Sequence, residues 1–187
     1  MNSKTESPQN QSEKTSIPKQ SIRKLVNRLA YVLEKELSPG DLAELRRLDP
    51  LDPACPAFWK VATLYLDGTP WMPFEGPYRD VSEQRWAAIL GSMAYTTGLH
   101  RPGRRLGAAL ADAGFSELRF VRLLRASGRA LLDAVALTAR FLSAKGESFD
   151  CYDVTSLVLS DKRDHGESER RRIARDYYRS FHRRSET

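Results

Sequence analysis

The chain predicts an all-α protein of about eight helices in two packed helical subdomains, the C-terminal one a helix bundle. Three observations predict it. Apolar residues recur at spacings of three and four, few segments alternate as strands do, and Pro, Gly and capping residues punctuate the pattern at helix-length intervals. With 187 residues, 41% hydrophobic and 29% charged, the chain can bury one large or two small cores.

Residues 1–20, rich in Ser, Gln and Lys, hold too few apolar side chains to offset the entropy of ordering and predict a disordered tail. The N-terminal subdomain is expected over 21–100 and the C-terminal one over 101–184. The first helix, 21–37, presents Ile22, Leu25, Val26, Leu29, Val32 and Leu33 on one face. Ser38, Pro39 and Asp41 then supply a cap, a first-turn proline and an acid three residues past the cap, opening a short helix that ends at Arg46 and Arg47. Pro50, Pro53 and Pro56 precede one helix over AFWKVATLYL, with Phe58, Trp59, Ala62 and Leu66 toward the core and Gly68 as its stop. The loop at 69–78 is broken by Pro and Gly yet aromatic enough to pack on the core or a partner. Asp80 and Glu83 have capping-box spacing, and Trp86, Ile89, Leu90, Met93 and Ala94 face the core along a helix ending at Gly98.

A turn at Pro102 and Gly103 opens the second half. Gly107, Ala108, Ala109 and Ala111 allow close helix approach in a short helix that Gly114 ends. Next comes SELRFVRLLRASGRA, where Arg119, Arg122, Arg125 and Arg129 form a stripe opposite Leu118, Phe120, Val121 and Leu124. RALLDAVALTARFLSAKG predicts a long amphipathic helix to Gly146, with Arg140 and Lys145 in its last turns, where the helix dipole also favours cations. Asp150 and Asp153 can cap a helix through Leu157, Val158 and Leu159, with a strand as the other possibility because Val and Thr are frequent. In the terminal helix Ile173, Ala174, Tyr177, Tyr178 and Phe181 share one face and Arg171, Arg172, Arg175 and Arg179 another. Tyr177 and Tyr178 fit base stacking or an amphipathic core with hydroxyls reaching the surface.

The charge is one-sided. Residues 1–100 carry 12 basic and 12 acidic side chains, and 101–187 carry 18 and 12, so the net +6 lies wholly in the second half. Nearly all those cations are arginine, whose planar fork suits phosphate. Arg101, Arg104 and Arg105 crowd a helix N-terminus, where the dipole disfavours them, which implies a role other than helix stability. The stripe lacks Glu at four-residue spacing and therefore leaves its potential to a polyanion or, as a solvated face, to water.

No enzyme is expected. His100, His165 and His182 lack metal-ligand spacing and read as surface or capping residues, so neither metal nor other cofactor is predicted. Walker, GxGxxG and GxSxG patterns are absent, and Asp133, Asp150, Asp153 and Asp161 read as caps or solvated acids. Cys55 and Cys151, far apart, predict buried free thiols. No apolar run approaches a membrane span and no apolar N-terminal segment resembles a secretory signal, so a cytoplasmic location without membrane contact is the expectation.

The order of motifs resembles the CasB family, the small subunit of the type I-E CRISPR Cascade complex, over roughly residues 22–181. The marks are Leu45, Arg46 and Arg47 before the Pro-rich turn, then Pro56, Ala57, Phe58 and Trp59, then Leu106, Gly107, Ala109 and Leu110, then Arg119, Leu124 and Ala126. Where family members have Asp-Trp this chain has Asp150 and Cys151, so Tyr152 is expected to supply the missing packing. The resemblance implies a non-catalytic subunit, present as two adjacent copies among other Cascade subunits. It would hold guide RNA, target DNA and the displaced non-target strand of the R-loop by their backbones. The nucleic-acid-binding candidates are Arg46, Arg47, Arg119, Arg122, Arg125 and Arg140, followed by Arg104, Arg105, Arg171 and Arg175. The alternatives are a helical adaptor whose basic faces meet acidic proteins and, disfavoured for want of an exposed recognition helix, a sequence-specific regulator.

Overall fold

The structure, a computed structural model, describes residues 19–161 and 166–185. The predicted tail up to residue 18, Lys162 and His165 lie outside the described residues. Within them run α1 (Lys19–Lys35), α2 (Pro39–Arg47), α3 (Pro56–Val61), a π-helical turn (Ala62–Leu66), α4 (Arg79–Tyr95), α5 (Leu106–Asp112), α6 (Glu117–Arg125), α7 (Arg129–Lys145), α8 (Cys151–Leu159) and α9 (Gly166–Ser185). The protein is all-α, and β pairing among the described residues is confined to isolated bridges such as His100 with Phe149. The helices form two packed groups around one continuous apolar cluster.

Local chemistry sets several boundaries where the sequence places them. The Ser38 hydroxyl accepts from the Asp41 amide at 3.1 Å while the Asp41 carboxylate accepts from the Ser38 amide, closing the capping box with Pro39 in the first turn. Asp150 caps α8 by accepting from the Tyr152 amide at 3.0 Å. The strand alternative there fails because α8 is buried on nearly every side, which only a helix with internally satisfied backbone permits so deep among other helices. Gly146 stops α7 in the left-handed conformation, φ +63°.

Other boundaries differ. The first helix starts at Lys19 and stops at Lys35. AFWKVATLYL splits into α3 and the π turn, and Trp59 is 38% exposed, because neighbours on a helix point about 100° apart and Phe58 already takes the core side. Trp59 instead meets Phe58 edge-on, ring centroids 5.0 Å apart. The Asp80–Glu83 capping box does not form. Tyr78 occupies the cap position without a side-chain bond, and Glu83 is taken by Arg79, which also reaches Asp67 at 2.9 Å. The helix ends at Tyr95, and Gly98 lies in the following turn. In the aromatic loop Met72 is buried and the Trp71 carbonyl accepts from the Trp86 indole, while Phe74 and Tyr78 face solvent.

Helix α4, apolar almost all round, is the central element and packs on α2, α7 and α8. The most intimate helix pair is α5 with α9. Gly107 makes it possible, since a Cβ there would lie 2.2 Å from the Ile173 carbonyl oxygen. Phe120 of α6 stacks on Tyr177 at 3.8 Å, and the Tyr177 hydroxyl is buried and donates to the Phe115 carbonyl at 2.6 Å rather than reaching the surface. Tyr178 donates to Glu117, and Phe181, expected on the core face, is 37% exposed near the helix end.

The aspartates of the α8 region are buried and engaged, neither solvated nor merely caps; Asp133 alone of the four is exposed. Asp150 accepts from Arg23 and the Gly103 amide, both at 3.0 Å. The Arg23 guanidinium lies over the ring of buried Tyr152, 3.6 Å from its centroid. Asp153 accepts from the Leu106 amide and meets Arg172, both at 2.9 Å. Arg172 thus turns inward and leaves the predicted outer stripe. Asp161 accepts from the Gly128 amide at 2.7 Å and from Arg170 at 3.0 Å.

Cys151 is a buried thiol pushed up to about 12, chiefly by that burial, whereas Cys55 is half-buried and caps α3 by accepting from the Phe58 amide. His100 is a capping residue: its Nδ1 accepts from the Cys151 amide at 3.2 Å, which assigns the proton to Nε2, 3.0 Å from Asn27 Oδ1. Burial lowers the His100 pKa, partly offset by Asp150.

Three outcomes follow from this packing. Gly107→Ala should destabilise by about 1–3 kcal/mol or more in urea melts, since backbone rather than a side-chain tip must move. Arg172→Ala strands the buried Asp153 carboxylate and should cost about 3–5 kcal/mol in the same assay. His100, depressed and neutral in the fold, contributes stability that is complete above its unfolded pKa and declines as pH falls; the urea midpoint should drop between about pH 7 and 5, and His100→Gln should flatten that drop.

Candidate nucleic-acid interface

Helix α6 buries Phe120 and Leu123 and turns Arg122 and Arg125 outward, with Arg119 on the flank. Leu118, expected on the apolar side, is 63% exposed and stands among these arginines, because only positions 120, 123 and 124 fall within the arc that α9 and α7 can cover. Arg129 belongs to the next helix, where it lies 3.7 Å from Asp133. Cations in a last helical turn usually serve the terminal carbonyls. Here Arg170 of α9 does so, donating to the Leu124 and Ala126 carbonyls at 2.8 and 2.6 Å. Arg119, Arg122 and Arg125 have no acidic partner among the described residues.

A second group meets at the C-terminal end of α4. Arg46 of α2 donates from Nε to the Ala94 carbonyl at 2.8 Å, and the Arg140 guanidinium of α7 lies 4.9 Å from the centroid of the Tyr95 ring. Two arginines 94 positions apart therefore flank adjacent residues of a third helix. Arg140 is exposed and Arg46 half-buried. Arg47, also exposed, folds back on the Ala43 carbonyl.

Two of the arginines preceding α5, Arg104 and Arg105, face carboxylates from other elements, which accounts for their unfavourable place beside a helix N-terminus. Arg104 bridges Asp112 and Glu147 at 2.8 and 2.7 Å; burial opposes its charge, and the two carboxylates outweigh burial and hold its pKa above the ordinary value. Arg105 faces Asp153 at 3.7 Å and Asp176 at 4.0 Å. On α9 Arg171 pairs with Glu167 in the open, a contact of little energetic weight, and Arg175 leans on the Arg171 carbonyl. The sequence did not identify Tyr95, whose role depends on a helix distant in the chain. Arg183 it could have added, because it continues the four-residue spacing of Arg171, Arg175 and Arg179.

Among the described residues no group of three or more His, Cys, Asp and Glu is placed to hold a metal, and no helix is long and apolar enough to cross a membrane. One shallow opening is lined by Arg101 and Arg104 and another by Arg105, Arg179 and Arg183.

Comparison with known proteins agrees with this description. The model of the family CRISPR-associated protein Cse2 matches residues 41–178. A chain in the crystal structure of E. coli Cascade bound to a PAM-containing dsDNA target superposes with a TM-score of 0.65 at 20% identity, over 84% of this chain and 96% of that one. CasB from Thermobifida fusca superposes with a TM-score of 0.58 at 16% identity, over 88% and 97%. No curated protein matches by sequence. These two structures share the fold, the family match spans most of the sequence, and the chain belongs to the Cse2 family of CRISPR-associated proteins.

Proposed function

We propose that this chain holds nucleic-acid backbone within its complex, steadying guide RNA, target DNA and the displaced strand of the R-loop. The observation that carries this is the outer face of α6, where three arginines stand exposed without acidic partners among the described residues, on a helix whose terminal carbonyls Arg170 already serves. Exchange of a DNA duplex for a guide–target heteroduplex is nearly balanced in free energy, so modest backbone contacts to an unpaired strand shift it. Such contacts position a strand without reading its bases. Arg46, Arg47 and Arg140 at the end of α4 form the companion surface. Arg104, with two carboxylates, contributes least of the candidates. The working context is cytoplasmic, with other Cascade subunits and a second copy of the chain as protein partners.

Binding of labelled single-stranded DNA to the purified protein across a salt series tests the proposal, with a repeat in the assembled complex. Each phosphate contact adds about 0.7 to the steepness of log affinity against log salt. Charge reversal at Arg119 and Arg122 should therefore flatten the slope by more than one and weaken binding at low salt about tenfold or more. Unchanged slope and affinity would leave the basic faces to acidic protein partners.

A further inference from the structure

His100 ties together helices that lie far apart in the sequence. Its Nδ1 accepts from the Cys151 amide, 51 positions on, and its Nε2 lies 3.0 Å from Asn27 Oδ1, 73 positions back. Asn27 stands on α1 and Cys151 opens α8, so one imidazole spans the seam between those helices. On the α8 side the backbone around the ring is fixed as well: the Phe149 amide donates to the Leu99 carbonyl at 3.0 Å and the Arg101 amide to the Phe149 carbonyl at 2.9 Å. On the α1 side the links are side chains, Asn27 to His100, and Arg23 to Asp150 and over the Tyr152 ring. A small cavity beside His100, bounded by Ala30 and Leu33 of α1, Met93 and Thr96 of α4, and Cys151, leaves the packing incomplete where α1 covers the thiol.

Protonation reverses the chemistry of this seam. The Cys151 amide is the first of α8, and the Tyr152 amide after it is taken by Asp150. A neutral imidazole offers the Cys151 amide a lone pair. An imidazolium carries a proton on each nitrogen, so an N–H would face an N–H at the positive end of the helix dipole. The ring then has to turn away, and Asn27 loses its partner with it. Asp150 is the charge that favours imidazolium, yet its oxygens already accept from Arg23 and from the Gly103 and Tyr152 amides. The other charged groups on the surrounding elements are engaged elsewhere or exposed. Arg104 bridges Asp112 and Glu147, Asp153 serves Arg172, Arg28 pairs with Glu36, and Lys24 and Arg101 are exposed. Helix α4 contributes Met93, Thr96 and Thr97, which do not titrate, and the buried Cys151 thiol stays neutral.

We propose that His100 is a proton-sensitive clasp between α1 and α8: when the ring takes up a proton, α1 lifts from the start of α8 and uncovers Cys151, while the remaining helices keep their packing. In the clasped state the ring is neutral, and burial holds its pKa down. In the opened state it returns to about 6.5, so opening is rare above that pH and increases as pH falls below it. Val26, Leu29 and Leu33 still anchor α1 in the core, which makes the release a local shift in population rather than unfolding of the chain.

Cys151, 2% exposed, reports the opening, and half-buried Cys55 at the cap of α3 is the reference within the same molecule. The full chain is labelled with a pyridyl disulfide reagent over a pH series, and each cysteine is read by peptide mass spectrometry. Between pH 7.5 and 5.5 the ratio of Cys151 to Cys55 labelling should rise several-fold, at most about tenfold. His100→Asn, which sets an amide oxygen near the place of Nδ1, and His100→Gln do not titrate, and each should give a ratio that is constant with pH. A wild-type ratio unchanged over this range, or a folded variant that follows the wild-type profile, would overturn the clasp. Hydrogen exchange of the wild-type chain, corrected for intrinsic rates, separates local from global opening. Protection should fall in α1 and the first turn of α8 and hold in α9 around Tyr177; an equal fall in α9 would mean overall unfolding and sink the proposal.

Discussion

A carboxylate buried among helices must be met by donors, and three such carboxylates mark the course of α8. Asp150 stands at its start, Asp153 in its first turn and Asp161 just past its end. Each recruits a cation and a backbone amide from elsewhere: Arg23 and Gly103, Arg172 and Leu106, Arg170 and Gly128. Burial raises the Asp153 pKa, and the Leu106 amide, Arg172 and Arg105 pull it back. Leaving any of these acids unmatched costs several kcal/mol, about as much as a small domain can lose, so α1, α7 and α9 are tied to α8. In this arrangement the ion pairs act as position markers, while apolar burial around α4 supplies most of the driving force.

That division explains which arginines remain available to a partner. A basic chain folding around buried acids spends part of its cationic surplus internally, and Arg23, Arg104, Arg105, Arg170 and Arg172 are spent or half-spent in this way. The arginines of α6 are exposed and have no acidic partner among the described residues. Arg170 has a particular place, because by capping α6 it leaves the arginines of that helix without an internal task. The fold and the exposed basic face of α6 are therefore coupled through one side chain.

Much of the fold was legible. Ser38–Pro39–Asp41, Gly146 and Asp150 act locally, through bonds to residues at most four away, and local bonds can be read from spacing. The predicted faces of α1 and α4 hold for the same reason. Trp59 and Leu118 were misplaced because an amphipathic pattern shows which side is apolar but not how wide an arc the neighbours cover. Asp80 and Glu83 fit a capping box by spacing, yet Arg79, fixed by Asp67 across the loop, claims the glutamate.

The amino-acid sequence by itself determined the helical class, the order of its elements, the family and the concentration of positive charge in the second half. Those properties are sums over local pattern and composition. Only the tertiary structure decided that Arg119, Arg122 and Arg125 stand without an acidic partner among the described residues while Arg104 is held by two acids, that Arg46 and Arg140 meet around Ala94 and Tyr95, and that Arg172 turns inward. The reason is electrostatic: whether a charge is available depends on the acids that folding brings within about 4 Å of it, and these come from residues dozens of positions away.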